Sequence, residues 1–399
     1  MNKADFLVVG GGVVGISIAR EIKARHRSAS VLLLEKEPEC GRHASGRNSG
    51  VLHAGFYYTA DSLKARLTRD GNRLLSDYCE SRKIPVNHCG KLVVARDDSE
   101  LPQLDELLRR GKANGVELHA ISAADARVME PRVKTFERAI FSPATATADP
   151  LEVLRSMEAD AAREGIGVHK GVTYTGRQNG QLQTSAGKYE AGFVINAAGL
   201  YADRVARDFG FSEQYRILPF KGIYLYSDEP AGALRTNIYP VPDLRNPFLG
   251  VHFTLLANGH AKIGPTAIPA FWREQYHGLG NFKFGEFAEI IFRDLGLMLS
   301  SGFDFKRLAV EETLKYYRPR LVGLAAGLLE GVKAENYRRW GRPGIRAQLL
   351  NIQTRKLEMD FVLQGDQQSL HVLNAVSPAW TCSFSFAQYV CDKIESLMK

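Results

Sequence analysis

The chain has 399 residues, of which 45% are hydrophobic and 24% charged, and carries a formal charge of +8. That length exceeds one ordinary core and points to two globular domains rather than a disordered chain. No apolar run approaches the roughly 18 residues that span a bilayer, and the dispersed basic residues argue against a nucleic-acid groove.

Phe6 to Val9 is a short apolar run that reads as a buried strand. The chain enters it within five residues, with no signal-peptide h-region ahead, so a cytoplasmic location is the expectation. Gly10, Gly12 and Gly15 follow with G-x-G-x-x-G spacing, and Val13 to Arg25 reads as an amphipathic helix. Val31 to Leu34 is a second strand, ending on Glu35. This strand–turn–helix–strand–acid order is a dinucleotide-binding fingerprint. Gly10 permits the tight turn, Gly12 lets a pyrophosphate approach the backbone, and Gly15 lets helix and sheet pack closely. The helix N-terminus offers N–H groups to phosphate, and Glu35 is placed to accept hydrogen bonds from a ribose.

Residues 37–60 form a long glycine-rich connection holding Ser45, Asn48 and Ser49. A loop of that length in a compact domain is usually functional, and this one suits wrapping a flat polar ring. A flavin enzyme needs such a loop; a nicotinamide enzyme has no obvious use for it.

Further along, Ser62 to Arg82 has helical spacing and Gly90 to Ala95 reads as a strand. Leu101 to Asn114 is a charged amphipathic helix ended by Asn-Gly, and Ser122 caps a short helix that stops near Pro131. Ala139 to Phe141 and Ala146 to Asp149 read as irregular. Pro150 to Glu164 is a helix with proline at its start. Gly167 to Tyr174 reads as one strand, 178–181 as a hairpin turn, and Phe193 to Gly199 as a buried strand running into small residues. Ala202 and Asp203 begin a segment that ends at Gly210. Residues 216–264 read as an antiparallel sheet and 284–340 as mostly helical. Ser369 to Asn374 is a strand, and Ser377 and Pro378 suit the start of a last helix. No internal repeat is visible. The five cysteines lack C-x-x-C spacing, so free thiols and no metal are expected.

Several stretches together resemble the D-amino-acid-oxidase/glycine-oxidase superfamily of FAD enzymes, and within it the L-2-hydroxyglutarate dehydrogenase/oxidase group. They are Gly46 to Tyr58, Ser62 to Leu67, Cys89 to Ala95, Asn196 to Arg204, Pro219 to Leu225, Asn237 to Asp243, Pro247 to Thr254 and Pro343 to Gln348. They run the length of the chain, and Tyr-Pro-Val-Pro-Asp with Gly-Val-His-Phe-Thr is the most particular pair.

The resemblance implies an α/β fold: a Rossmann-like FAD-binding domain of glutathione-reductase type, and an α+β substrate domain on a mostly antiparallel sheet. The first is expected from 1–85, 150–215 and 341–399, the second from 86–149 and 216–340. FAD, held without a covalent bond, is expected at Gly10, Gly12, Val14, Gly15, Glu35, Lys36, Ser45, Asn48, Ser49, Gly50, Val172, Ala198, Gly199, Ser377, Pro378 and Ala379. His43 is the residue to watch for covalent attachment, which some relatives use. A helix starting at Ser377 would stabilise negative charge on a reduced ring.

The implied reaction oxidises L-2-hydroxyglutarate to 2-oxoglutarate, with hydride passing from C2 to flavin N5 and electrons onward to a quinone or oxygen. It needs a base near neutral pH, usually histidine. Of ten histidines, His252 on the substrate sheet is favoured as base, with His53 orienting flavin or substrate. A dicarboxylate also needs clamps: Arg346 first, for its two-pronged geometry, then Lys221 and Tyr239, with Lys64 behind. The apolar run from Leu321 to Leu329 and the basic 333–342 read as a buried helix with a basic exit, or as a patch for peripheral contact with an anionic membrane. Glycerol 3-phosphate, malate or an amino acid as substrate, or a flavin-binding interaction protein without turnover, are the rival readings.

Overall fold

A computed structural model of the protein describes residues 2–243, 248–300 and 304–399. Pro247, at the start of one diagnostic stretch, lies outside the described residues. The chain divides into two compact units, 1–48 with 150–219 and 346–399, and 49–149 with 220–345.

The first unit is built on the strand Asn2–Val9, whose Leu7 and Val8 are fully buried. It pairs in parallel with Val31–Glu35 on one side and Gly187–Asn196 on the other. Gly167–Lys170 adds in parallel beyond Val31–Glu35, and Ser369–Asn374 beyond Gly187–Asn196. A parallel strand is covered on both faces, which is why its sequence is a continuous apolar run. The helix Val13–Arg25 supplies one cover and packs against Pro150–Arg163 and Ser383–Leu397. Two antiparallel hairpins complete the sheet, one through Tyr174–Gln178 and Gln181–Thr184, the other through Val362–Gly365. Asn179 and Gly180 turn the first with positive φ, as anticipated.

Three expectations here need correction. Gly167 to Tyr174 is two strands, because the chain turns at Gly171 (φ +72°). Residues 377–382 are turns, with Cys382 N–H donating to Pro378 O at 3.1 Å, and the last helix begins only at Ser383. A residue before proline avoids helical backbone, so Ser377, Pro378 and Ala379 offer no helix N-terminus. Ala139 to Phe141 and Ala146 to Asp149 are ordered, containing the strands Arg138–Ser142 and Ala146–Ala148. Distant partners, rather than local sequence, stabilise them.

The second unit carries an eight-stranded sheet. Its order is Arg339–Trp340, Leu225–Tyr226, Ala261–Gly264, His252–Leu255, Asn237–Pro240, Lys91–Val94, Arg138–Ser142 and His119–Ser122. Neighbours are antiparallel except Asn237–Pro240, which runs parallel to Lys91–Val94. The strands of this sheet that come from 216–264 pair antiparallel with one another, as expected; the one parallel neighbour, Lys91–Val94, comes from earlier in the chain, and Tyr215–Gly222 joins a separate sheet.

Side chains alternate across a sheet, and the two faces differ sharply. Leu92, Val94, Ala139, Leu225, Ile238, Phe253, Leu255 and Ile263 share one apolar core with Leu321, Val322 and Ala325 of the helix Arg318–Ala326. Leu321, Val322, Ala325, Leu328 and Leu329 of the 321–329 run are thus core, in line with the buried-helix reading, while Leu324 is exposed. The opposite face presents Lys91, Tyr239, His252, Thr254 and Lys262, every one of them buried. At one end Val93 and Ile140 pack with Phe56, Tyr57 and Leu107.

Candidate active site

In the first unit the loop from Gly10 to Gly15 is shaped by close approach. Gly10 holds φ +117°, and a Cβ there would lie 2.4 Å from Ala197 O. A Cβ on Gly15 would lie 1.9 Å from Gly10 O, and one on Gly12 would lie 2.9 Å from Ser45 Oγ. The helix Val13–Arg25 starts with no acidic residue in its first turn and no side-chain cap from Gly12. Apart from Val13 N–H, its first-turn amides therefore keep their affinity for an anion. Ser45 Oγ accepts from Val13 N–H at 2.9 Å, so the loop is tied to this turn. Val14 stands on the same turn, half-buried.

Glu35 ends the second strand, 7% exposed. Its carboxylate accepts from Gly11 N–H at 2.8 Å and from Glu37 N–H at 2.9 Å. Burial pushes its pKa up, against those hydrogen bonds. Around it, Val172 N–H donates to Glu35 O, and Lys36 lies 3.2 Å from Glu37 and over the Tyr201 ring. Ala198 N–H donates to Asn196 Oδ1, and Gly199 has φ +54°. Asn48 Nδ2 donates to Ser45 O at 2.7 Å, closing the loop on itself. His43 pairs with Glu37 at 3.0 Å. Two buried polar atoms near the last helix, Trp380 Nε1 and Ser383 Oγ, have no hydrogen-bond partner among the described residues. A crowded glycine turn, an open helix start and a strand-terminal carboxylate fit the adenosine diphosphate half of FAD, and orphaned buried donors fit a polar ligand.

Ser49 and Gly50 belong to the second unit, where Gly50 O accepts from Ala148 N–H. Arg346 stands half-buried on the strand Gly344–Asn351 of the first unit.

The buried polar face of the second unit brings together two of the expected residues. Tyr239 and His252 stack, with centroids 3.7 Å apart and planes 20° from parallel. His252 Nδ1 lies 2.8 Å from Gly250 O. A carbonyl only accepts, so Nδ1 carries the proton and Nε2 of the neutral ring keeps its lone pair. His53 lies in the same electrostatic neighbourhood. Burial, and after it repulsion from Lys91 and from His252 whenever these are protonated, hold its pKa down to about 3. It stays neutral at any physiological pH and is a weak base.

Lys221 and Lys64 stand on other elements. Lys221 is buried in the strand Tyr215–Gly222 with its Nζ 5.9 Å from the Tyr316 ring, and burial lowers its pKa. Lys64 is the second residue of the helix Leu63–Ser81, with its Nζ 5.8 Å from the Tyr58 ring.

Sequence reasoning passed over two residues of this face, Lys91 and Lys262. Lys91 is fully buried, its Nζ has no hydrogen-bond acceptor, and it faces the rings of Phe56, Tyr57 and Tyr239 at 4.5, 4.5 and 4.9 Å. Burial alone lowers its pKa to about 7. Lys262 lies 4.4 Å from the Tyr224 ring, and burial lowers its pKa to about 8, opposed by Asp149. The available signal was a lysine within a short apolar strand, Lys-Leu-Val-Val or Ala-Lys-Ile-Gly, where the usual residue is apolar.

The family described as FAD dependent oxidoreductase matches residues 5–392. The chain is 36% identical to an L-2-hydroxyglutarate dehydrogenase, mitochondrial, of Nematostella vectensis, over 98% of this chain and 90% of that one. It is 34% identical to the Homo sapiens protein of that name (98% and 88%) and 32% identical to L-2-hydroxyglutarate dehydrogenase of Escherichia coli K12 (99% and 94%). Among solved structures, an FAD-bound L-alpha-glycerophosphate oxidase of Mycoplasma pneumoniae superposes with a TM-score of 0.78 at 20% identity, covering 99% of this chain and 95% of that one. A glycine oxidase of Geobacillus kaustophilus gives 0.75 at 19%, with the same coverage.

Proposed function

We propose, from the premise that this chain belongs to the FAD-dependent oxidoreductase family, that it oxidises L-2-hydroxyglutarate to 2-oxoglutarate. The substrate is carried by the near-full-length relatives of that name. The two oxidase structures, at 20% identity and below, speak only for the fold. The observation that carries the chemistry is His252. Its ring is fixed by Tyr239 and its Nδ1–H by Gly250 O, which leaves Nε2 as the proton acceptor.

Bound FAD supplies the acceptor for the hydride that leaves C2. Gly12, Ser45 and the helix N-terminus would hold its pyrophosphate in the turn that Gly10 and Gly15 make possible, and Glu35 would hold the ribose. The first unit is the FAD-binding domain and the second the substrate domain. His252 Nε2 takes the substrate hydroxyl proton, while neutral His53 orients the substrate by hydrogen bonding.

Electrons pass on to a quinone or to oxygen. Support for a quinone at a membrane surface comes from the helix Phe284–Leu299, where Phe292 and Leu299 are 75% and 89% exposed beside exposed Phe284 and Leu295. The contact read from this face is a peripheral one, and no helix among the described residues is long and apolar enough to cross a membrane.

Anaerobic titration of the holoenzyme tests the reaction. L-2-hydroxyglutarate is expected to bleach the flavin absorbance and the D-enantiomer to leave it. Bleaching by another hydroxy acid or an amine, with none by L-2-hydroxyglutarate, sinks the assignment.

A further inference from the structure

The polar face of the second unit contains more positive charge than proton abstraction needs. Lys91 lies opposite Asn237, and Lys262 lies opposite Thr254. Ile238 pairs with Phe253, which sets Asn237 beside Thr254 and Tyr239 beside His252. Lys91, Asn237, Thr254 and Lys262 thus form one row straight across four adjacent strands. Strands lie about 4.8 Å apart, so the two lysine backbones are separated by roughly 14 Å.

The next row along the strands holds Tyr239, His252, Gly264 and Tyr224, because Gly264 pairs with His252 and Leu225 with Ile263. Each ammonium leans toward that row. Lys91 Nζ lies against Tyr239 at one end, and Lys262 Nζ against Tyr224 at the other. His252 stands between them, and Gly264 beside it carries no side chain. The proton acceptor is therefore bracketed by two buried cations on a single rigid sheet.

Neither lysine makes an ion pair among the described residues. Removing an ammonium from water without a direct ion pair is strongly unfavourable, and the ring contacts, with the more distant charge of Asp149 at Lys262, offset only part of that cost, since burial still lowers both pKa values. The arrangement makes sense when a ligand brings two anionic groups. Resting on the proposed reaction, we infer that Lys91 and Lys262 receive the two carboxylates of the dicarboxylate substrate, one on each side of His252. These two lysines are then the residues that select a dicarboxylate. A monocarboxylate leaves one buried ammonium uncompensated, and a site built for a missing polar partner discriminates strongly.

The test uses the FAD-loaded enzyme and the non-reacting dicarboxylate glutarate, whose binding is read from its perturbation of the flavin spectrum. Lys91→Met and Lys262→Met are each expected to weaken glutarate binding at least thirtyfold and to raise KM for L-2-hydroxyglutarate similarly. The limiting rate of flavin reduction is expected to change by less than tenfold. The preference for L-2-hydroxyglutarate over the monocarboxylate L-2-hydroxybutyrate should fall at least tenfold in each variant. Lys91→Gln and Lys262→Gln give the same readouts if a methionine variant loses FAD. Glutarate binding within threefold of wild type in both pairs of variants overturns the inference. So does a collapse of the reduction rate with binding unchanged, which would make the lysine a proton carrier. A wild-type enzyme that binds glutarate but is not reduced by L-2-hydroxyglutarate overturns the reaction and leaves the clamp standing. One that does neither overturns both.

Discussion

The imidazole of His252 lies flat on the phenol of Tyr239, 3.7 Å between centroids, and both side chains are buried on neighbouring strands. Stacking fixes the ring plane, while the 2.8 Å contact of Nδ1 with Gly250 O fixes the ring's rotation and its tautomer. A base held in this way is already oriented before substrate arrives. His252→Ala is expected to slow anaerobic flavin reduction by about 10²- to 10⁴-fold, the usual worth of a general base. Tyr239→Leu removes the stack but keeps the volume apolar, and is expected to slow the same step less, on the order of tenfold. Near-full reduction rates in His252→Ala would remove it as the base.

His53 predicts a different pH response. Its folded pKa of about 3 lies below the ordinary histidine value near 6.5. Between those values the unfolded chain binds the extra proton, so His53 contributes stability that is present above about pH 6.5 and lost as pH falls toward 3. His53→Gln should therefore flatten the acid limb of a Tm-against-pH curve. Its acid limb matching the wild type would contradict the buried, neutral assignment.

Lys91 acts at the other end of the scale. Its folded pKa of about 7 lies below the model-peptide value near 10.4. The unfolded chain again binds more protons in the interval, so stability rises with pH from about 7 to about 10. Lys91→Met removes the burial of an unpaired charge and is expected to raise Tm at pH 7, with the gain shrinking toward pH 10. A lower Tm at pH 7 would show that the aromatic rings around Nζ stabilise the cation more than burial opposes it.

The glycine turn can be tested without touching the substrate face. Gly12→Ala places a Cβ 2.9 Å from Ser45 Oγ, a side-chain atom that can shift, so the fold should survive. The added methyl occupies the approach to the helix N-terminus, and FAD affinity is expected to fall about tenfold or more, corresponding to about 1.4 kcal/mol. Flavin fluorescence on release measures it. Unchanged affinity would detach Gly12 from the pyrophosphate.

The exposed apolar helix face gives a physical measurement of its own. Phe292→Ser with Leu299→Ser is expected to reduce flotation with phospholipid vesicles while leaving reduction by L-2-hydroxyglutarate in solution unchanged. Equal flotation of wild type and variant would move membrane contact away from the helix Phe284–Leu299.

Helix ends were legible where one residue decides them. Ser62 Oγ accepts from Ala65 N–H, and Ser122 with Asp125 forms a reciprocal cap, each at the expected start. Ser377-Pro378 carried a similar local signal but gave turns, because the segment is held by burial of Trp380 and Thr381 rather than by a cap. The strands at 138–148 left little local trace, since their partners are residues 51–52, 86–87, 91–94 and 119–122.

The sequence by itself determined the nucleotide half of the protein. A strand, three glycines, a helix and Glu35 lie within a few dozen residues, and each acts on its chain neighbours through φ, hydrogen bonding or the absence of a Cβ. It also marked His252, Tyr239 and His53 by their surroundings. Only the tertiary structure decided that Lys91 and Lys262 belong with them. Residues 91, 239, 252 and 262 come from four strands, one pairing parallel and the others antiparallel. Strand register, set by how Leu92, Ile238, Phe253 and Ile263 pack on the far face, turns these residues toward one another. The pattern that buries one face of the sheet is therefore also what assembles the chemistry on the other.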